Sequence, residues 1–76
     1  MKLSPAKYVI RIFGGVRSAA FIIGRHPGSV SRWQTPKTSG GYGGTIPKAA
    51  RLTILKIAKR RKLPITSRDL DYGRTI

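Results

Sequence analysis

The sequence predicts an all-α fold, a small helical bundle of four to five helices forming one domain over residues 1–76. Three observations carry this expectation. Apolar residues recur at helical spacing after Ser4 and after Pro47. Prolines and glycines fall where helices start and stop. No segment alternates apolar and polar residues for long enough to predict a strand.

Each element has a local reason. Ser4-Pro5 is a helix start, with a hydroxyl at the N-cap and proline at the first helical position. Ala6, Val9, Ile10 and Phe13 then line one face and Lys7 and Arg11 the other, until Gly14-Gly15 ends the helix. A second helix fits Val16 to Ile23 and stops at Gly24; a third fits about Pro27 to Gln34, and Pro36 forbids much continuation. "TPKTSGGYGGT", residues 35–45, reads as a flexible glycine-rich loop, although Tyr42 with Lys37 nearby offers an alternative, contact with phosphates or docking on the domain. A fourth helix starts near Pro47 and runs to about Lys62, where Leu63-Pro64 ends it. Its wheel carries Ala50, Ile54, Ile57 and Ala58 on a core stripe. Leu52 and Leu55 lie on another, either covered by the tail or used to meet a partner protein or second copy. Thr66-Ser67-Arg68-Asp69 has the form of a capping box that opens a last short helix carrying Leu70 inward.

Charge narrows the partners. The chain has 16 Lys and Arg against 2 Asp and Glu, a net charge of +14, and no acid precedes Asp69. Such a chain repels itself and is stabilised by a polyanion, nucleic acid ahead of an anionic membrane surface. No apolar run approaches a membrane span of about 18 residues, and the N-terminus is too interrupted by charge for a secretion signal. The expected location is cytoplasmic, on the nucleoid. With no cysteine and one histidine, His26, neither a disulfide nor a metal site is expected, and no cofactor. Ser29 has no base and acid set to make it a nucleophile, so the chain is not read as an enzyme.

The stretch "VRSAAFIIGRHPGSVSRWQT", residues 16–35, holds a helix-turn-helix pattern. Numbered from one, it has a small residue at the fifth place (Ala20), where two helices cross closely. Glycine stands at the ninth (Gly24), where the backbone turns through positive φ. Apolar residues stand at the eighth (Ile23), fifteenth (Val30) and eighteenth (Trp33), pinning the second helix to the first. Trp33 therefore reads as core rather than as a stacking platform.

"FGGVRSAAFIIGRHPGSVSRW" resembles the FGG-x-x-x-x-A-x-x-x-G-x-x-x-x-x-V-x-x-W core of phage and bacterial Cro/YdaS-like regulators. "GTIPKAARLTILKIAKRRKLPITSRDL" is similar to their ending, in which "IP" opens a helix and T-x-x-D-L closes the domain; together the two cover about Ile10 to Leu70. The glycine-rich insert after Trp33 and the unusually high charge depart from the pattern. The resemblance implies a DNA-binding transcription regulator, repressor or activator, whose recognition helix, Pro27 to Gln34, lies in the major groove of double-stranded DNA. Gly28, Ser31 and Arg32 would face bases, with His26, Pro27 and Ser29 at the helix start, and Arg32 would pair with guanine. Arg17 and Arg25 would clamp the backbone, Lys37 and Lys48 would add phosphate contacts, and a homodimer would meet a two-fold operator.

Three rivals stand beside that expectation. High charge and the cluster "KIAKRRK", residues 56–62, suit an architectural protein that coats DNA without reading it. A basic RNA-associated protein is the second. The third is an accessory factor that meets another protein through Leu52 and Leu55.

Overall fold

The computed structural model describes residues 1–75. The elements run β1 (Lys2–Leu3), α1 (Pro5–Ile12), α2 (Val16–Ile23), α3 (Pro27–Gln34), a 3-10 turn (Lys37–Ser39), α4 (Lys48–Arg61), α5 (Ser67–Tyr72) and β2 (Arg74–Thr75). The architecture is a small five-helix bundle.

Local chemistry sets the helix ends. The Ser4 hydroxyl accepts the Lys7 N–H at 3.3 Å, with Pro5 at the first helical position. At α5 the capping box closes in both directions: Thr66 Oγ1 accepts the Asp69 N–H at 3.3 Å, and Asp69 Oδ2 accepts the Thr66 N–H at 2.9 Å. Pro47 opens α4 without a side-chain cap.

The core draws on every helix. Ala6, Val9, Ile10 and Phe13 of the first apolar stripe are buried, as are Ala20, Ile23, Val30, Trp33, Ala50, Ile54, Ala58 and Leu70. Ile57 is only partly covered. Leu52 and Leu55 part company: Leu55 packs against the core, while Leu52 stays 60% exposed. Three positions along a helix leave two side chains about 60° apart, so both line the groove beside α5 while only Leu55 turns far enough inward to pack on the core.

Two features depart from the expected picture. The glycine-rich loop is tied down. Tyr42 and Gly44 donate backbone N–H groups to the carbonyls of Arg32 and Trp33 at 3.0 and 2.7 Å, and the Gly44 carbonyl accepts the Ala6 N–H at 2.9 Å. Gly44 has φ 93°, and a Cβ there would stand 2.7 Å from Ser4 Cβ, so glycine is what lets the loop reach α1. The loop thereby satisfies carbonyls at the end of α3 that a free linker would leave to water.

The second feature is a two-stranded antiparallel sheet, with Lys2 opposite Thr75 and Leu3 opposite Arg74. Strands of two residues carry no alternation, so the pairing leaves no mark on the sequence. It brings Arg74 over the Tyr8 ring, 5.5 Å from its centroid. The same guanidinium donates to Tyr8 Oη, the Pro64 carbonyl and Asp69 Oδ2 at 2.9, 3.1 and 3.4 Å. Chain start and chain end are locked together around a buried carboxylate.

Candidate nucleic-acid interface

The α2–α3 unit packs its two helices on each other and against α1 and α4, and leaves charged and polar groups on its outer side. Gly24 ends α2 at φ 81° and ψ 35°, the left-handed region. Its N–H and that of Arg25 both donate to the Ala20 carbonyl, at 2.9 and 2.8 Å. These two hydrogen bonds to one carbonyl accompany a turn sharp enough for α3 to pack back on α2. Ala20, Val30 and Trp33, three of the constrained places in the pattern, are buried.

The start of α3 is capped by an imidazole. His26 Nδ1 accepts the Gly28 N–H at 3.0 Å. A side-chain carbon at Gly28 would stand 3.1 Å from that nitrogen, so the small residue also clears room for the cap. With Nδ1 committed as acceptor, Nε2 is the nitrogen that presents a donor outward. His26 is thus a helix-capping residue as well as a surface one.

Gly28, Ser29, Ser31 and Arg32 are exposed on α3, and Arg17 and Arg25 are exposed beside it. The chain's two carboxylates are held elsewhere, Asp71 by Arg51 at 2.6 Å and Asp69 by Arg74 at 3.4 Å. No acidic side chain is left to neutralise Arg17, Arg25 or Arg32. Serine hydroxyls on α3 and the guanidiniums of Arg17 on α2, Arg25 in the turn and Arg32 on α3 can donate to phosphate oxygens and to base edges.

The residues singled out from the sequence fall into three places. Arg17, Arg25, His26 and Pro27 line one surface hollow of about 540 Å³ with Phe21. Gly28, Ser29, Ser31 and Arg32 continue along α3. Lys37 lies in the 3-10 turn of the docked loop, whose hydrogen bonds run to the C-terminal end of α3. Lys48 stands apart, at the start of α4, lining a groove with Arg51, Leu52, Leu55, Ser67, Leu70 and Asp71.

Phe21 went unnoticed in the sequence. It is 88% exposed between Arg17 and Arg25. Helix α2 is apolar at six of its eight positions, so periodicity cannot tell which apolar side chain is left outside. The exposed aromatic adds an apolar contact to an otherwise cationic surface.

Among the described residues no group of three His, Cys, Asp or Glu is placed to hold a metal ion, and no helix is long and apolar enough to cross a membrane. No protein-family model, curated protein or solved structure matches the chain.

Proposed function

We propose that this protein is a transcription regulator that binds double-stranded DNA by laying α3 in the major groove. One observation carries the reading: a helix-turn-helix whose second helix exposes Gly28, Ser29, Ser31 and Arg32, flanked by Arg17 and Arg25, with no acid to pair them. Arg32 donates two parallel bonds to guanine, and the serines bond bases or phosphate. Arg17, Arg25 and Lys37 hold the phosphate backbone on either side. Occupancy of an operator then excludes polymerase from a promoter or recruits it.

The net charge of +14 gives general affinity for DNA, which concentrates the protein on the nucleoid. One copy offers few base-facing side chains, and a second copy on a two-fold site multiplies them. The test is selection of bound sequences from random duplex DNA, with competition by structured RNA. A recurring site is the expected result. Enrichment of no sequence, with binding intact, makes the protein a DNA coat; preference for RNA removes the reading altogether. If about 6 phosphates are neutralised per bound unit, the log–log salt slope lies near −5.

A further inference from the structure

Phe21 is the most exposed large apolar side chain among the described residues, at 88%, and the duplex reading gives it no task. It stands on α2 one helical turn after Arg17, and Arg25 follows just past the helix end. The three line the hollow of about 540 Å³ together with His26 and Pro27, and no carboxylate joins them. Neither Arg17 nor Arg25 is in an ion pair. Neither covers the ring, since the one cation stacked on an aromatic among the described residues is Arg74 on Tyr8. The hollow thus presents a bare aromatic face and two uncommitted guanidiniums.

We propose that this hollow binds single-stranded DNA, with one unstacked base lying on the Phe21 ring and the adjoining phosphates on Arg17 and Arg25. An aromatic face set among cations is how proteins hold single strands: bases stack on the ring while the cations follow the backbone. Each nucleotide of a free strand supplies a flat ring and a phosphate together. A duplex supplies the phosphate only, because its base faces are covered by their neighbours and edges alone are open in the grooves. An interfacial helix buries a row of apolar side chains in a bilayer, whereas α2 leaves one large apolar side chain exposed. An acidic peptide carries its charge and its apolar groups on separate side chains.

The sugar follows from the donor set. His26 Nδ1 already accepts the Gly28 N–H at 3.0 Å, and the other polar side chains of the hollow are guanidiniums, which only donate. A ribose 2′-OH finds no free acceptor side chain there, so the deoxy strand forgoes no contact. The site shares Arg17 and Arg25 with the duplex reading and adds a second ligand to it, without needing α3 in a groove. Strand and duplex compete for the same two arginines.

The experiment is fluorescence anisotropy on the full chain, without duplex, using labelled oligodeoxyuridylate of about 12 nucleotides and an abasic strand of the same length. The two carry the same phosphates, so general attraction cancels in the ratio of their affinities. Wild type is expected to hold the strand with bases at least about fivefold more tightly. F21A, checked for melting, is expected to bring the two affinities level while the abasic strand binds as before. F21W keeps the preference, F21L loses it, and R17A and R25A weaken both strands alike. Equal wild-type affinities overturn the proposal. So does a preference that survives in F21A or F21L, because the base is then not stacked on this ring. Tighter binding of the matching RNA strand overturns the choice of DNA. An acidic, leucine-bearing peptide or an anionic vesicle that binds more tightly than the strand, and only with Phe21 present, makes the hollow a protein or membrane site instead. Selection of a duplex site without strand preference sinks the single-strand site alone; a Phe21-dependent preference without duplex selection sinks the duplex reading alone.

Discussion

Helices α2 and α4 end in the same backbone conformation with different residues. Gly24 has φ 81° and ψ 35°, Lys62 has φ 55° and ψ 45°, and Lys62 is the one non-glycine residue at positive φ among those described. The hydrogen bonding is the same. Gly24 and Arg25 both donate to the Ala20 carbonyl, and Lys62 and Leu63 both donate to the Ala58 carbonyl. At the first end glycine removes the steric cost; at the second a lysine bears about 1–2 kcal/mol of it. Stability is placed at the α2–α3 turn, where the angle between two helices depends on it. At the end of α4 a continuous basic run, Lys59 to Lys62, takes precedence over the residue that fits best. The last turn of α4 also profits from those cations, because its carbonyl ends carry partial negative charge.

The comparison breaks most readily at the packing behind the first turn. Ala20 is buried on α2, which packs closely on α3. Ala20→Leu is expected to cost roughly 1–3 kcal/mol by overpacking. In a domain of this size each kilocalorie moves the melting temperature by about 4–8 °C. Thermal unfolding followed by circular dichroism reads it, and a wild-type melt for this variant would remove the close crossing. The corresponding change behind the second turn, Ala58→Leu, tests whether α4 is held as tightly.

A second contrast separates the two helices by what the DNA-binding proposal assigns to each. Arg32 is exposed on α3, and Lys59 is exposed on α4 with no groove assigned to it. Arg32→Ala is expected to lose about 1–3 kcal/mol on the selected site and little on random duplex. Lys59→Ala should weaken all sequences by a similar factor and lower the salt slope by at most about one unit. Both variants are titrated on both DNAs at one salt concentration. Equal losses on the two DNAs for Arg32→Ala would make α3 another phosphate-binding surface and the protein a DNA coat.

What was legible in the sequence is what is local. Ser4-Pro5, the Thr66–Asp69 box, Gly24 and the Ala20–Val30–Trp33 spacing each specify geometry within a few residues or within one motif. The docked loop was legible only as an alternative to a flexible linker, because its bonds join the backbone of Tyr42 and Gly44 to Arg32, Trp33 and Ala6, and backbone atoms leave no composition signal. The β1–β2 pair and the Arg74–Tyr8 contact each join residues more than sixty apart, through strands too short to pattern. At the candidate site the cationic and serine positions were legible from the motif. Phe21 was not, since an almost uniformly apolar helix hides which side chain faces water. Leu52 and Leu55 needed the position of α5 before one became core and the other surface.

Gly24→Ala isolates backbone conformation from packing. A Cβ built at Gly24 meets nothing within 4 Å, so the cost is conformational alone. The left-handed penalty of about 1–2 kcal/mol is partly offset by the less flexible unfolded chain, about 0.4–1 kcal/mol. A net loss near 1 kcal/mol is expected by chemical denaturation. No loss at all would mean that the turn relaxes to another conformation, which a change in DNA affinity would then report.

Lys62→Gly is the reverse experiment and carries the smallest effect. Removing the side chain relieves the left-handed penalty at the end of α4, while glycine loses more freedom on folding. By the same two magnitudes the net gain is about 0.5–1 kcal/mol, or roughly 2–8 °C in the melting temperature. The variant also removes one cation from the run after Ala58. If Lys62 meets phosphate, DNA binding weakens on every sequence and the salt slope falls by about one unit, although the protein is more stable. A protein that is both more stable and unchanged in its salt slope would show that Lys62 faces only solvent. Lower stability would show that its stem packs on the end of α4, and the residue would then be there for packing. The opposed result, more stable and less tightly bound, is the one expected, because the chain keeps a lysine where the backbone favours glycine.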